Sequence, residues 1–397
     1  MKKSVSLRKA ITAGIVAVFA CSLVTGLVVY DTARPKGELG ELYHALREAD
    51  SAVQKNFVGE YETSDLIDYT LTGYTSGLGD RWSYYMTPES YEAYLDSAAD
   101  STVGIGVTVS YEEADDGSHY LLVNSIAHAS PAEKAGFGYY DEIISVDGKT
   151  IDELGEYTDA VDAVRGDAGE DVTLGVRRYE TGEVEDVTVT RAEYDQIHVT
   201  SRMLENHVGY ICIERFTQQT DAQFEQALEE MLDAGAESLI FDLRNNPGGQ
   251  LTALVNCLDV LLPEGDIISL ESKSGKTEKY TSDADCVDLP MAVIVNEESY
   301  SAAEFFAAAL QEYDMAEVIG EKTVGKGYSQ QPFVLSNGGC LELSTNCYYT
   351  PKGISLIGKG VTPDVEAELS EEKAEHFYVL SDEEDDQLQA AISALAS

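Results

Sequence analysis

The stretch Ala292-Val293-Ile294-Val295-Asn296-Glu297-Glu298-Ser299-Tyr300-Ser301-Ala302-Ala303-Glu304-Phe305-Phe306-Ala307-Ala308-Ala309-Leu310 changes character at its middle. A short apolar β-branched run has the composition of a buried strand, and the alanine- and phenylalanine-rich run after Ser301 that of a helix. Ser301 therefore falls at a strand-to-helix turn. That position exposes a hydroxyl at a sheet edge and points helix amides at developing negative charge. Serine is also a favoured N-cap, and position alone leaves both roles open.

The same alternation extends upstream. Strands are expected at Val208–Ile213, Ser238–Leu243 and Met291–Val295, and helices at Asp221–Ala234 and from about Thr252 to Leu261, a pattern of sheet with covering helices. Residues 264–288, charged and containing Lys and Ser, read as a surface hairpin. Downstream, Val324-Gly325-Lys326-Gly327-Tyr328-Ser329-Gln330-Gln331 sets a lysine between glycines and apolar residues in a Lys-poor chain. Lysine acts as a base only when deprotonated. Reaching that state near neutral pH takes desolvation worth roughly 4 kcal/mol, which burial beside apolar side chains supplies. Gln330 is placed to orient the amine through its carbonyl oxygen. A solvated loop lysine fits the spacing equally well.

Residues 101–192 have another texture. Short β-rich runs at Val103–Val109, Tyr120–Ile126, Glu142–Val146, Val172–Arg177 and Val184–Thr190 are separated by Gly, Asp and Pro turns. The order of Val103-Gly104-Ile105-Gly106-Val107, then SPAEKAG at 130–136, then DEIISVDGKTI at 141–151, resembles a PDZ domain of the bacterial protease type. Backbone N–H groups around Gly104, Ile105, Gly106 and Val107 suit capture of a terminal carboxylate while a peptide adds as a strand.

Ala10 to Tyr30 carries no charged side chain, long enough for one membrane-spanning helix, and Lys2, Lys3, Arg8 and Lys9 precede it. The expectation is a single-pass anchor with a cytoplasmic amino terminus. The alternative, a cleaved signal peptide, finds no small-x-small site around Tyr30–Arg34. Residues 38–70 follow as amphipathic helix, with Leu39, Leu42, Leu46, Ala49 and Val53 at three- and four-residue steps. The 72 acidic against 26 basic residues give a formal charge of −46, which repels nucleic acid. The cysteines past the apolar segment, Cys212, Cys257, Cys286, Cys340 and Cys347, lack metal-ligand spacing. Cys340 and Cys347 are spaced to face each other across a hairpin, a pairing the sequence leaves unsettled.

SYSAAE at 299–304 with VGKGYSQQ at 324–331 closely resembles the C-terminal processing, or tail-specific, serine proteases. GLGDRWSYYMTPESYEAY at 77–94, the PDZ-like module, FDLRNNPGG at 241–249 and TPKGISLIGKGVTPD at 350–364 fall in that family's order. The resemblance implies Ser301 as nucleophile, Lys326 as general base and Gln330 as support for the lysine. It also implies an oxyanion hole from the N–H groups of Ala302 and Gly248. Glu312 stands where some relatives have an assisting acid. Arg165 lies where relatives place an arginine at the PDZ–protease boundary, and the expectation drawn from that place is that it couples tail binding to activation. Tyr300 and Ala303 depart from the family's commonest pattern of small residues and serine. None of the six histidines lies in these motifs and no GxSxG is present, which disfavours a Ser-His-Asp hydrolase.

The fold expected is α+β and multidomain: a transmembrane helix, a helical segment, and a PDZ-like β-rich domain before an α/β, ClpP/crotonase-like, serine protease core. The expected divisions are 1–9 cytoplasmic, 10–30 transmembrane, 31–98 helical, 99–192 PDZ, 193–369 protease core, and 370–397 an acidic tail with a short helix from Gln387 to Ala396. The implied activity is that of a membrane-anchored extracytoplasmic endopeptidase that captures substrate C-terminal tails and cleaves through an acyl-enzyme. No cofactor or metal is needed, and the resemblance implies a homodimer. The rival readings are a PDZ scaffold, against which Ser301, Lys326 and Gln330 together speak, and a narrowly specific signalling protease.

Overall fold

The computed structural model describes residues 37–97 and 101–396, together with Phe19 and Ser22. The expected membrane span, 10–30, otherwise lies outside the described residues. Among those described, no helix is long and apolar enough to cross a membrane. The chain divides into two units, Met1–Ile67 and Asp68–Ser397. In the first, helix α1 (Glu38–Asn56) carries the expected apolar stripe, with Leu39, Leu42 and Leu46 exposed. The continuous helix expected over 38–70 is interrupted at 57–62. A second helix, α2 (Thr63–Ser76), starts afresh with an acidic first turn at Asp65.

The second unit opens within α2, at Asp68, and continues with β1 (Tyr84–Met86) and α3 (Pro88–Ser97). The β-rich domain follows. Its strands are β2 (Ser101–Gly104), β3 (Val107–Glu113), β4 (His119–Ile126), β5 (Glu142–Val146), β6 (Lys149–Thr150), β7 (Asp171–Arg177), β8 (Val184–Thr190) and β9 (Ala192–Asp195). Its helices are α4 (Pro131–Lys134), α5 (Ile151–Leu154) and α6 (Tyr157–Val164). One sheet runs β3-β4-β5-β7-β8 and leaves β3 at an edge, and β2 pairs separately with β9. The single strand expected over Val103–Val109 is thus broken at Ile105-Gly106. Gly106 has φ +89, and a side chain there would run into Ser130, which caps α4. Leu121, Val123, Ile143, Val172 and Leu174 fill the domain's own core.

The remaining chain builds β10 (Val199–Met203), β11 (Val208–Ile213), α7 (Thr220–Asp233), β12 (Ser238–Asp242), α8 (Leu251–Asp259), β13 (Gly265–Ser272), β14 (Thr277–Ser282), β15 (Met291–Val295), α9 (Ala302–Glu312), β16 (Ala316–Gly320), β17 (Tyr328–Val334), β18 (Cys340–Tyr349), β19 (Val365–Glu366), α10 (Glu371–Glu375) and α11 (Asp386–Leu395). The main sheet has the order β10-β11-β12-β15-β16-β19 and is parallel except for β10. Its strands read as continuous apolar runs because both faces are covered. On β15, Met291, Val293 and Val295 face the cluster with α7, α8 and α9, while Ala292 and Ile294 face Leu388 and Ala391 of α11. From Ala302 to Leu310 every residue of α9 is buried, as a helix apolar on all sides requires.

A second sheet, β1-β18-β13-β14 with β17 also on β18, contains the expected hairpin as β13 and β14. Cys340 and Cys347 lie on one strand, β18, rather than across a hairpin, and neither is in a disulfide. The segment after Ser370 is more than an acidic tail. Arg244, almost wholly buried, donates to Asp242 through Nε and Nη2 and to Asp385 through Nη1 at 2.8 Å. Its guanidinium also lies 4.6 Å from the Phe377 ring centroid. Tyr378 stacks on Tyr139 of the β-rich domain, centroids 4.5 Å apart.

Candidate active site

The turn from β15 to α9 is tied to the loop after β12 at several points. Ser299 Oγ donates to the Leu243 carbonyl at 2.8 Å, the Tyr300 N–H to the Asn246 carbonyl at 3.0 Å, and Asn296 Nδ2 to Asn245 Oδ1 at 2.8 Å. Thus anchored, Ser301 is held at φ 59, ψ −121. A non-glycine residue there costs on the order of 1–3 kcal/mol, and such strain collects at functional sites. Ser301 and Glu304 stand as a capping box does, with the Ser301 N–H donating to Glu304 Oε2 at 2.9 Å.

Glu304 is fully buried and joins two loops. Its Oε2 accepts the N–H groups of Ser301 and, at 2.8 Å, of Lys326; its Oε1 accepts Gly325 N–H at 2.7 Å and Thr323 Oγ1. Burial pushes this carboxyl up, and the four donors oppose that rise. Four donors converging on its two oxygens suit a carboxylate. Ser301 and Lys326, 25 positions apart in the chain, are therefore tethered to one oxygen atom. A lone acid inside AAEFFAAAL was the signal for it, and sequence reasoning assigned Glu304 no role.

Lys326 is half-buried. Its Nζ lies 4.6 Å from the Trp82 ring centroid and 5.6 Å from that of Tyr300, and the two rings are 5.6 Å apart. Burial lowers the lysine pKa, and Glu342, Asp80 and Glu304 act against that. Among the described residues the amine makes no hydrogen bond. Tyr300, a departure from the family pattern, thus forms one wall around the lysine. Trp82 comes from the GLGDRWSYYM loop, whose aromatics carried no expected part in the site.

The other expected residues fall as follows. Ala302 N–H, at the start of α9, makes no hydrogen bond within the described residues. Gly248, φ +85, packs so closely that a Cβ would lie 2.7 Å from Ala302 N and from the Tyr300 carbonyl. Its own N–H donates to Asn246 Oδ1 at 2.7 Å. Gln330, on β17, donates to the Tyr328 carbonyl at 3.2 Å and to Ser344 Oγ at 3.1 Å, and makes no bond to Lys326. Glu312, at the end of α9, accepts Thr350 Oγ1 and the Lys352 N–H, both at 2.7 Å, and so fastens the 350–353 turn.

A cavity of about 1010 Å³ is lined by Gly104, Ile105, Gly106 and Val107, by Arg165 after α6, and on the core side by Asn245 and Pro247. It therefore reaches from the glycine-bearing loop to the loop that holds Gly248. The loop's Ile105 and Gly106 carbonyls are occupied by Ala132 N–H and Ala127 N–H. Edge strand β3 offers unpaired backbone groups along one wall. Arg165 is exposed and pairs with Asp162 at 3.4 Å.

A family model described as peptidase family S41 matches residues 207–367, and one described as PDZ domain matches 103–190. The carboxy-terminal processing protease CtpA of Bacillus subtilis (strain 168) is 32% identical over 329 residues, covering 82% of this chain and 69% of that protein. The chain belongs to peptidase family S41. Within this family of serine-type peptidases, a carboxy-terminal-processing protease of Bartonella bacilliformis is 31% identical, over 80% of this chain and 73% of that one. A probable CtpA-like serine protease of Staphylococcus saprophyticus is 32% identical over 77% of this chain, but the match spans 61% of its length. A solved structure of a putative S41 protease from Bacteroides fragilis shares the fold, with a TM-score of 0.59 at 18% identity over 81% of this chain and 87% of that one.

Proposed function

We propose that this S41 peptidase is a membrane-anchored, extracytoplasmic endopeptidase that binds substrates by their C-terminal tails and cleaves with a Ser301–Lys326 dyad. The observation that carries the reading is the strained Ser301 backbone tethered, with Lys326, to Glu304 Oε2. Neutral Lys326 takes the Ser301 proton as Oγ attacks the scissile carbonyl, then delivers it to the leaving amine; water hydrolyses the acyl-enzyme by the reverse proton path. Ala302 N–H is free to receive the oxyanion. Gly248 N–H becomes the second donor when it releases Asn246 Oδ1. The tail enters along β3 with its carboxylate at Gly104–Val107, and the shared cavity leads from there toward Gly248. Residues 10–30 supply the anchor, and the 31–397 portion acts on proteins outside the cytoplasm.

The test is cleavage of a labelled unfolded protein by the wild type, Ser301→Ala and Lys326→Ala. Loss of turnover by about 10³-fold or more in both is expected, and undiminished cleavage in either sinks the dyad.

A further inference from the structure

Three carboxylates act electrostatically on Lys326, from three different elements: Asp80 in the loop before β1, Glu304 in α9, and Glu342 in β18. Two are committed elsewhere. Asp80 accepts the Trp82 N–H at 3.1 Å and Ser83 Oγ at 2.6 Å, and Glu304 is filled by its four donors. Glu342 differs. It is 9% exposed, and its Oε2 is the one buried side-chain polar atom among the described residues without a hydrogen-bond partner. An unpartnered buried carboxylate oxygen is costly unless a positive charge answers it. Glu342 sits opposite Tyr84 in the β1–β18 pairing, two residues from the Trp82 ring under the lysine amine. Aromatic faces favour a cation over a neutral amine.

We propose that Trp82, Tyr300 and Glu342 form a receiving site for the Lys326 ammonium. This rests on the reading of Lys326 as the base. The amine enters the reaction neutral and accepts the Ser301 proton while the Oγ–C bond forms. The resulting ammonium is stabilised over the two rings with Glu342 as its counter-charge. One proton then passes to the substrate nitrogen as the C–N bond breaks, and the amine is neutral again. Glu342 touches neither substrate nor nucleophile; it is a positioning residue that sets how basic Lys326 is. Burial lowers the lysine pKa, and Glu342 is the foremost charge opposing that fall. The other ionisable groups at this corner are Arg81, whose guanidinium lies 4.3 Å from the Trp82 centroid and opposes the ammonium, and Tyr84, Tyr94 and Cys340 around Glu342.

The pH dependence of kcat/KM on a labelled unfolded protein tests this, with wild type, Glu342→Gln, Glu342→Asp, Trp82→Leu and Lys326→Ala. Removing the counter-charge or the ring makes the ammonium easier to deprotonate. The acid limb is therefore expected to move to lower pH by about one unit in Glu342→Gln, in the same direction in Trp82→Leu, and back toward wild type in Glu342→Asp. Acid limbs of Glu342→Gln and Trp82→Leu that superimpose on the wild type, with Lys326→Ala inactive, overturn the receiving site alone. Full activity in Lys326→Ala overturns the dyad beneath it.

Discussion

His128 Nε2, in the β-rich domain, lies 3.2 Å from Glu214 Oε1 in the protease core, while its Nδ1 lies 3.2 Å from Glu133. The hydrogen bond to Glu214 leads in pushing the imidazole up to about 9. Burial raises Glu214, but bonds with His128 and His198 outweigh it and hold the carboxyl at about 2. The histidine's contribution is complete below its unfolded value of 6.5 and is lost as pH rises through about 9. The glutamate's is present above 4.5 and is lost as pH falls through about 2. The link is thus at full strength between these unfolded values. Both side chains keep solvent contact, at 30% and 42%, so screening trims the effect. The melting temperature of His128→Gln is expected to lag the wild type most at pH 5–6 and to converge with it above pH 9, measured by differential scanning calorimetry.

Glu304→Gln replaces an oxygen that accepts N–H groups with an NH₂ that cannot. At least two donors among Ser301, Thr323, Gly325 and Lys326 then lose their acceptor. The expected result is a loss of about 2–4 kcal/mol in urea unfolding and a fall in kcat of about 10²-fold or more, because the two loops no longer share an anchor.

Gly248→Ala places a methyl 2.7 Å from Ala302 N, at φ +85. The clash falls on the nucleophile turn and not on the sheet. A drop of about 10²-fold or more in the rate of Ser301 labelling by a fluorophosphonate is expected, with a far-UV circular dichroism spectrum like the wild type.

Arg244→Ala strands two buried aspartates. Removing one partner of a buried ion network costs about 3–5 kcal/mol, and Asp385→Ala should cost a similar amount. A double-mutant cycle in chemical denaturation checks the coupling: the two losses are expected to be strongly non-additive.

Arg165 borders the cavity beside the glycine-bearing loop. Arg165→Ala is expected to narrow the difference in KM between a peptide ending in a free carboxylate and the same peptide as an amide. An unaltered difference removes Arg165 from tail recognition.

Much of the main sheet was legible because both of its faces are covered. Val208–Ile213 and Met291–Val295 read as strands from uninterrupted apolar runs, and the structure has them at those bounds. Ser301 was legible as a turn serine for the same reason: strand and helix compositions meet there. The partners of Lys326 were not. Trp82, Tyr300 and Glu342 come from a loop, a turn and a strand far apart in the chain; the β1–β18 pairing brings Glu342 beside the Trp82 loop, and Tyr300 joins through its ring contact with Trp82. Nor does any local pattern announce that Asp385 neutralises Arg244; the segment read only as an acidic tail with a short helix, whereas this aspartate is buried. VGIGV alternates like a strand, and the break at Ile105-Gly106 shows in the φ of +89 at Gly106 and in its crowding against Ser130.

The Arg244–Asp385 pair joins positions 141 residues apart. The guanidinium three residues before Pro247 therefore keeps an incomplete set of counter-charges until Asp385 has been synthesised. A growing chain on the ribosome, with its sheet strands already made, still lacks the closing aspartate beside the loop that carries Gly248. The buried ion network around Arg244 is therefore complete only once the segment carrying Asp385 has docked beside the loop after β12.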